Sequence, residues 1–431
     1  MGILPAGVRS AVGRDSPSSV GRSSEASGRL AFVRKLLVAI VTLAGASGRA
    51  SADDWPYDDR YASSLLYLHE TLDYAFHPLW VRQWEQHLVK GNGLRGTAGS
   101  LTTDDLLTVL EVDVSQQAGR GFRVLYVADR FEAPHRDVRD REQFVGLEAP
   151  LFGGSGVQLL ADPTTDKEEL DVLAGILLAD SARDAYLRLW LRLDDPVWER
   201  KNERGGRSVQ EAIGPQWTAR LARGRWELFS AGRSSRPSER VYEDPVQSPD
   251  IAAEERRRGE SETRLRWTAH GGSWAEAEFS HWAYEERIDA RNTALSTSYE
   301  NRILRGRIAA GTSPGVPFAG RAELQRVRQD AEAGGARDYT YERRDLPWAV
   351  HLEWRPTRSQ VWDLGYLRAR YEWDYVPRDA TEPFAADGAV DKLKLAWTFL
   401  FSEDARMLLG LSHEPEPNEF GGGNLQLQAI F

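Results

Sequence analysis

From about residue 104 to its last residue, the chain alternates oily and polar side chains at every second position. In 185–194, Ala185, Leu187, Leu189, Leu191 and Leu193 fall on one side, and Tyr186, Arg188, Trp190, Arg192 and Asp194 on the other. In 391–401, Leu393, Leu395, Trp397, Phe399 and Phe401 alternate with Lys392, Lys394, Ala396, Thr398 and Leu400. In 348–355, Trp348, Val350, Leu352 and Trp354 oppose Ala349, His351, Glu353 and Arg355. In 367–375, Leu367, Ala369, Tyr371, Trp373 and Tyr375 oppose Arg368, Arg370, Glu372 and Asp374. A strand sends successive side chains to opposite faces, so each stretch is a strand with one oily and one charged face.

Composition narrows what can solvate those oily faces. The mean hydropathy of −0.51 is far too polar for a bundle of membrane-spanning helices. Fifteen tryptophans, fourteen tyrosines and fourteen phenylalanines are out of place in a disordered chain. With no cysteine there is no disulfide framework, thiolate zinc site or thiol nucleophile. A length of 431 residues could hold two or three soluble domains or one large barrel.

A soluble sandwich also alternates, and two features separate the cases. Tryptophans sit near strand ends (Trp217, Trp267, Trp348, Trp373), as aromatic girdles at two lipid–water interfaces require. Connections also alternate in length. Short turns near 180–184, 223–225, 271–273, 356–359 and 402–404 are interleaved with polar loops near 195–214, 234–261, 286–298, 331–346 and 377–390. The chain then ends GGGNLQLQAIF, in which Leu425, Leu427, Ala429 and Phe431 alternate with Asn424, Gln426 and Gln428. This ending resembles the closing strand of Gram-negative outer-membrane β-barrels. The resemblance implies that Phe431 marks the chain for the barrel-assembly machinery, and that the barrel sits in outer-membrane lipid. Seventeen strand segments can be counted over 101–431. Single-chain bacterial barrels use even numbers, so an antiparallel transmembrane barrel of 16 or 18 strands is expected. The short segments 142–150 and 155–162, and 169–180, apolar on both faces, fit the pattern least well.

The first hundred residues read differently. Arg34 and Lys35 precede a short apolar run from Leu36 to Ala44, and Ala50-Ser51-Ala52 suits a signal-peptide cleavage site. Residues 1–52 are therefore expected to be an N-terminal extension with a secretory signal, one reading being that translation starts at Val33. Residues 53–100 are expected to form a helical plug or periplasmic arm. Tyr61, Leu65, Leu68, Leu72, Phe76 and Leu79 recur at helical steps through 58–90, Pro78 kinks or ends the helix, and Gly91, Gly93, Gly96 and Gly99 make a flexible joint. His69, Asp73 and His77 share a spacing of four, which reads as a polar stripe rather than a metal or haem site. No cofactor motif is present. The net charge of −10 grows more negative once the basic leader is removed, which argues against a nucleic-acid partner.

With the oily faces outward, the charged faces line the interior. Arg188, Arg192, Arg220, Arg264, Arg266, Arg305, Arg307, Arg368 and Arg370 are expected to point into the lumen opposite Glu353, Glu372 and Asp374. A barrel of this size leaves room for an aqueous channel whose fixed charges select solutes. The leading expectation is a passive, porin-like channel and not an enzyme. The alternatives are an export or assembly conduit, for instance for polysaccharide, docked to a periplasmic partner through 58–90; a closed structural or adhesive barrel; and a barrel-embedded hydrolase. The hydrolase would need His270, His281, His351 or His413 to meet a nucleophile and an acid. No GxSxG, HExxH or P-loop pattern appears.

Overall fold

The computed structural model describes residues between 93 and 430 apart from short stretches, the longest of them 164–171 and 194–205. The expected signal sequence, the 58–90 helix with His69, Asp73 and His77, and the terminal Phe431 lie outside the described residues. Twenty strands form one antiparallel sheet. The first seven are β1 (Gly93–Ser100), β2 (Leu106–Ala118), β3 (Phe122–Ala133), β4 (Val138–Pro150), β5 (Gly156–Ala161), β6 (Val172–Ala179) and β7 (Tyr186–Leu193). Then come β8 (Gly206–Gln210), β9 (Ile213–Arg223), β10 (Trp226–Ser234), β11 (Ser238–Tyr242), β12 (Ile251–Thr268), β13 (Trp274–Ala290) and β14 (Thr297–Gly311). The last six are β15 (Phe318–Gly335), β16 (Tyr339–Thr357), β17 (Gln360–Pro377), β18 (Phe384–Leu400), β19 (Ala405–Glu414) and β20 (Glu419–Ile430).

The pairings run in a circuit. β1 pairs with β2 along one side (Ala98 opposite Thr108) and with β20 along the other (Ala98 opposite Leu425). The ladders between β2 and β20 join neighbours in chain order, except that β7 passes to β9 and β10 to β12. β8 pairs with β11, and β11 with β12, so β8 prolongs β9 and β11 prolongs β10. The break between β10 and β11 holds Pro237, which has no N–H to give the ladder. Counting each interrupted strand once gives eighteen staves. Among the described residues every stave has a ladder on both sides, the condition for strands to stand in lipid.

All seventeen segments read from the sequence are strands, and the eighteenth stave is β1. The expected glycine joint is thus a correction: Gly93, Gly96 and Gly99 lie in a strand paired on both sides. The short turns fall where expected, with Gly224 (φ 61°) in the two-residue turn from β9 to β10. The long polar loops are a second correction. Much of 251–261, 286–290, 331–335, 339–346 and 384–390 continues the strands, and β12 to β18 run 15–19 residues. A bilayer needs only about 9–11 residues of tilted strand, so these staves stand well clear of it at the end away from the short turns.

The two faces of the wall differ sharply. On β16, Tyr341, Arg343, Asp345, Ala349 and His351 are buried, while the intervening Leu346, Val350, Leu352 and Trp354 are exposed. On β14, Arg307 and Ala309 are buried and Leu304 and Ile308 exposed. Exposed Leu, Val, Ile and Phe facing outward need lipid, because water would penalise each of them. Near the short turns, one row of the ladder carries Phe318, Trp354, Trp362 and Trp397 across β15 to β18. The Trp362 and Trp397 rings are 6.1 Å apart. Eight residues along β16, the row through Leu346 meets Arg370, and beyond it the outward face is charged. Those eight residues span about 26 Å along the strand, or about 20 Å once tilted, close to the apolar band of an outer-membrane barrel.

Candidate functional site: the inner wall

The inner face carries two contrasting sectors. On β12 to β15, arginines and carboxylates interlock. Arg307 Nη1 donates to Glu276 at 3.0 Å and to Glu278 at 2.8 Å, and its Nε donates to Glu323 at 3.2 Å. Arg305 meets Glu278 at 3.1 Å, and Arg266 meets Glu276 at 3.4 Å. Register explains the cluster: Glu276 and Glu278 on β13 lie opposite Arg266 and Arg264 of β12 and opposite Ala309 and Arg307 of β14. Arg264 leans over Phe229, 5.3 Å from its centroid. On β16, Glu353 takes the Nε hydrogen of Arg355 at 2.6 Å.

On β3 to β7 the inner face is mostly apolar. Leu125, Phe144, Leu160, Leu173 and Trp190 form one buried cluster. This accounts for 169–180, whose Leu173 and Leu177 face inward while Ala174 and Leu178 face out. A buried polar chain crosses the sector. Trp190 Nε1 donates to Gln158 Oε1 at 2.7 Å, and Gln158 Nε2 donates to Glu148 at 2.6 Å. Arg183, held at φ 56°, reaches the other oxygen of Glu148 at 2.5 Å. Arg188 lies 4.0 Å over the Trp190 ring and donates to Thr218, and Arg192 approaches Phe144. Arg220 is held by Glu227 at 2.8 Å and by the carbonyl of Asp184.

Gly175 leaves the space that Trp190 fills. A Cβ there would stand 2.1 Å from Trp190 Cδ1 and 2.2 Å from the Leu189 carbonyl oxygen. Gly175→Ala is therefore expected to destabilise the barrel by about 1–3 kcal/mol through overpacking, read as a lowered urea midpoint in vesicles. An unchanged midpoint would mean that Trp190 is free to leave Gly175.

Four residues expected in the lumen are elsewhere. Arg368, Arg370, Glu372 and Asp374 share the outward face of β17 with Leu364, while Val361, Asp363, Leu367 and Ala369 face in. The oily side of 367–375 points inward because this part of β17 lies at and beyond the edge of the apolar band. The outer wall there meets water, and the inner wall carries rings. Tyr339, Tyr341, Trp373 and Tyr375 pack together, so Trp373 belongs to that inner cluster and not to an outer girdle. Sequence periodicity located the strand but could not show that its two faces exchange roles.

Above the band, the outward charges of β12 to β16 pair with one another. Arg257 meets Glu285, Arg302 meets Glu300, Arg328 meets Asp330, and Arg344 meets Glu342. Inside the same extension, Arg256 is flanked by Glu254 and Glu286. Burial opposes its charge, but these carboxylates and Tyr284 prevail and hold its pKa above the usual arginine value. Burial pushes the Asp345 carboxyl up, against the pull of Arg343 at 2.8 Å.

Of the candidate bases, His351 meets an acid: its Nδ1 is 3.0 Å from Asp363 Oδ1 on the inner face. That is a base and its orienting carboxylate; Ser280 lies one residue from His281, on the other face of β13. Among the described residues no cluster of metal-ligating side chains is found.

No family model matches this sequence, and no curated protein matches it. Solved structures do resemble it. Pseudomonas aeruginosa OpdL is 11% identical, with 79% of this chain and 96% of that chain covered at a TM-score of 0.39. P. aeruginosa OccK3 (OpdO) is 12% identical over 82% and 99%, at 0.37. OmpT, an outer-membrane protein of Vibrio cholerae, is 8% identical over 79% and 95%, at 0.35. Likeness at this level leaves the argument with the chain itself. An edgeless antiparallel circuit, an aromatic row, an apolar outer band and a polar inner sector together make this an outer-membrane type of β-barrel.

Proposed function

We propose that the chain is a porin-like outer-membrane channel for small hydrophilic solutes. The observation that carries this reading is the charged inner wall of a closed circuit of staves. Arg188, Arg192, Arg220, Arg264, Arg266, Arg305, Arg307 and Glu353 are the proposed lumen-lining set. Charged walls at close quarters select solutes by sign. Their carboxylate partners, Glu227, Glu276, Glu278 and Glu323, make the selection one of mixed charge.

A second reading, a conduit held shut until a periplasmic partner engages, is favoured by how little of that wall is open. Arg188, Arg266 and Arg307 are 4–6% exposed. Single-channel recording of the mature chain, with and without residues 53–92, separates the two. The deletion ends at 92 because β1 begins at Gly93. Large steady steps from the intact mature chain are the expected result, with the reversal potential in a salt gradient giving the charge preference. Silence relieved only by the deletion supports the gated conduit. Silence in both sinks the channel.

A further inference from the structure

One row of the outer wall breaks the pairing rule of the extension. Arg326, Leu346 and Arg370 stand at one level on β15, β16 and β17: Leu346 is opposite Arg370, and Arg326 falls opposite Leu346 between the pairs Leu324–Trp348 and Val327–Asp345. Both arginines are exposed and, among the described residues, neither has an ion pair or a side-chain hydrogen bond. The arginines just above, Arg328 and Arg344, are both satisfied by carboxylates. The unpaired row stands at the edge of the apolar band: directly beneath it lie Leu324 and Trp348 and, farther along, Arg368, which is already paired with Asp391. Arg326, Leu346 and Arg370 line a groove of about 700 Å³ on the wall.

We propose that this groove holds the phosphate-bearing headgroup of an outer-leaflet lipid. Its height is that of the headgroups, and its floor offers Leu346, 44% exposed, to an acyl chain. Two guanidinium groups two strands apart, about 10 Å, can each fork onto phosphate oxygens. Carboxylates are kept off this row. Glu372, Asp374 and Asp387 also line the groove, but one or two rows higher, on the water side, and Asp345, beside Leu346, lines it from the inner face, where Arg343 neutralises it. They repel a phosphate downward to the membrane edge, where the arginines wait. A partner protein would reach the belt above, where the charges already neutralise one another; the unpaired cations sit where only lipid headgroups are always present.

The test uses the full chain in detergent, diphosphoryl lipid A as probe, and native mass spectrometry as readout. The wild type is expected to retain the lipid. Arg326→Gln with Arg370→Gln is expected to weaken retention about tenfold, the worth of one charge-assisted hydrogen bond. Arg328→Gln, on an arginine already bound to Asp330, is the matched control and should retain it as the wild type does. Phosphate-stripped lipid A should be held by none of the three. Equal retention by the wild type and the double variant, both shown folded by heat-modifiable mobility, overturns the proposal. Competition by inorganic phosphate at the affinity of the lipid also overturns it, because the ligand would then be a free anion.

Discussion

Replacing Arg307 with Met should lower the unfolding free energy of the barrel in vesicles by about 3–5 kcal/mol, because it strands buried carboxylates without their cation. Arg307 bonds Glu276, Glu278 and Glu323 at once. After the change, Glu276 keeps Arg266 and Glu278 keeps Arg305. Glu323 keeps Gln325, whose amide donates at 3.2 Å, and its side chain is fully buried. The loss should therefore concentrate on Glu323. Adding Glu323→Gln to the Arg307→Met variant is expected to restore much of it, since a neutral amide is far cheaper to bury than an unpaired carboxylate. A full double-mutant cycle in urea reads the coupling. If Arg307→Met cost less than about 1 kcal/mol, as an exposed pair would, the network would be wet and weak.

How far the sequence revealed this architecture depended on what each strand has to satisfy. Where both lipid and interior impose their demands, as in β7 and in 348–355 of β16, period two is clean and the faces follow from it. β1 lacked that signal. Its GLRGTAGS has three glycines and one large apolar residue, and it is a strand because β2 and β20 both supply its hydrogen bonds. The ends of β12 to β18 looked like loops because their outward residues are charged, yet paired arginines and carboxylates on a sheet face are as compatible with a strand as leucines are. In β17 the strand outran the membrane, so the assumption that oily means outward failed at Arg368, Arg370, Glu372 and Asp374. The inner ion network was legible as a list of charged positions. Its connectivity was not, since Arg307 gathers carboxylates from two other strands, and only register brings those together.

Val350→Arg puts the membrane placement itself to the test. Val350 is 44% exposed on the outward face of β16, opposite Ala322 on one side and Tyr366 on the other, midway between Trp354 of the girdle and Leu346 of the Arg370 row. If lipid covers that row, an arginine there should cost about 2–4 kcal/mol of stability in vesicles, the penalty for a charge near the middle of a barrel's apolar band. Thr340→Arg is the contrast. It faces outward on β16 well above Leu346, opposite Glu332, and in water it should stay within about 0.5 kcal/mol of the wild type. Solubilising both variants in excess detergent should narrow the gap, because a micelle deforms around a charge more readily than a bilayer does. Equal costs for the two variants in vesicles would mean that the exposed leucines of β16 and β17 face a protein partner or water. The arginines of the next charged row would then have no lipid headgroup to meet.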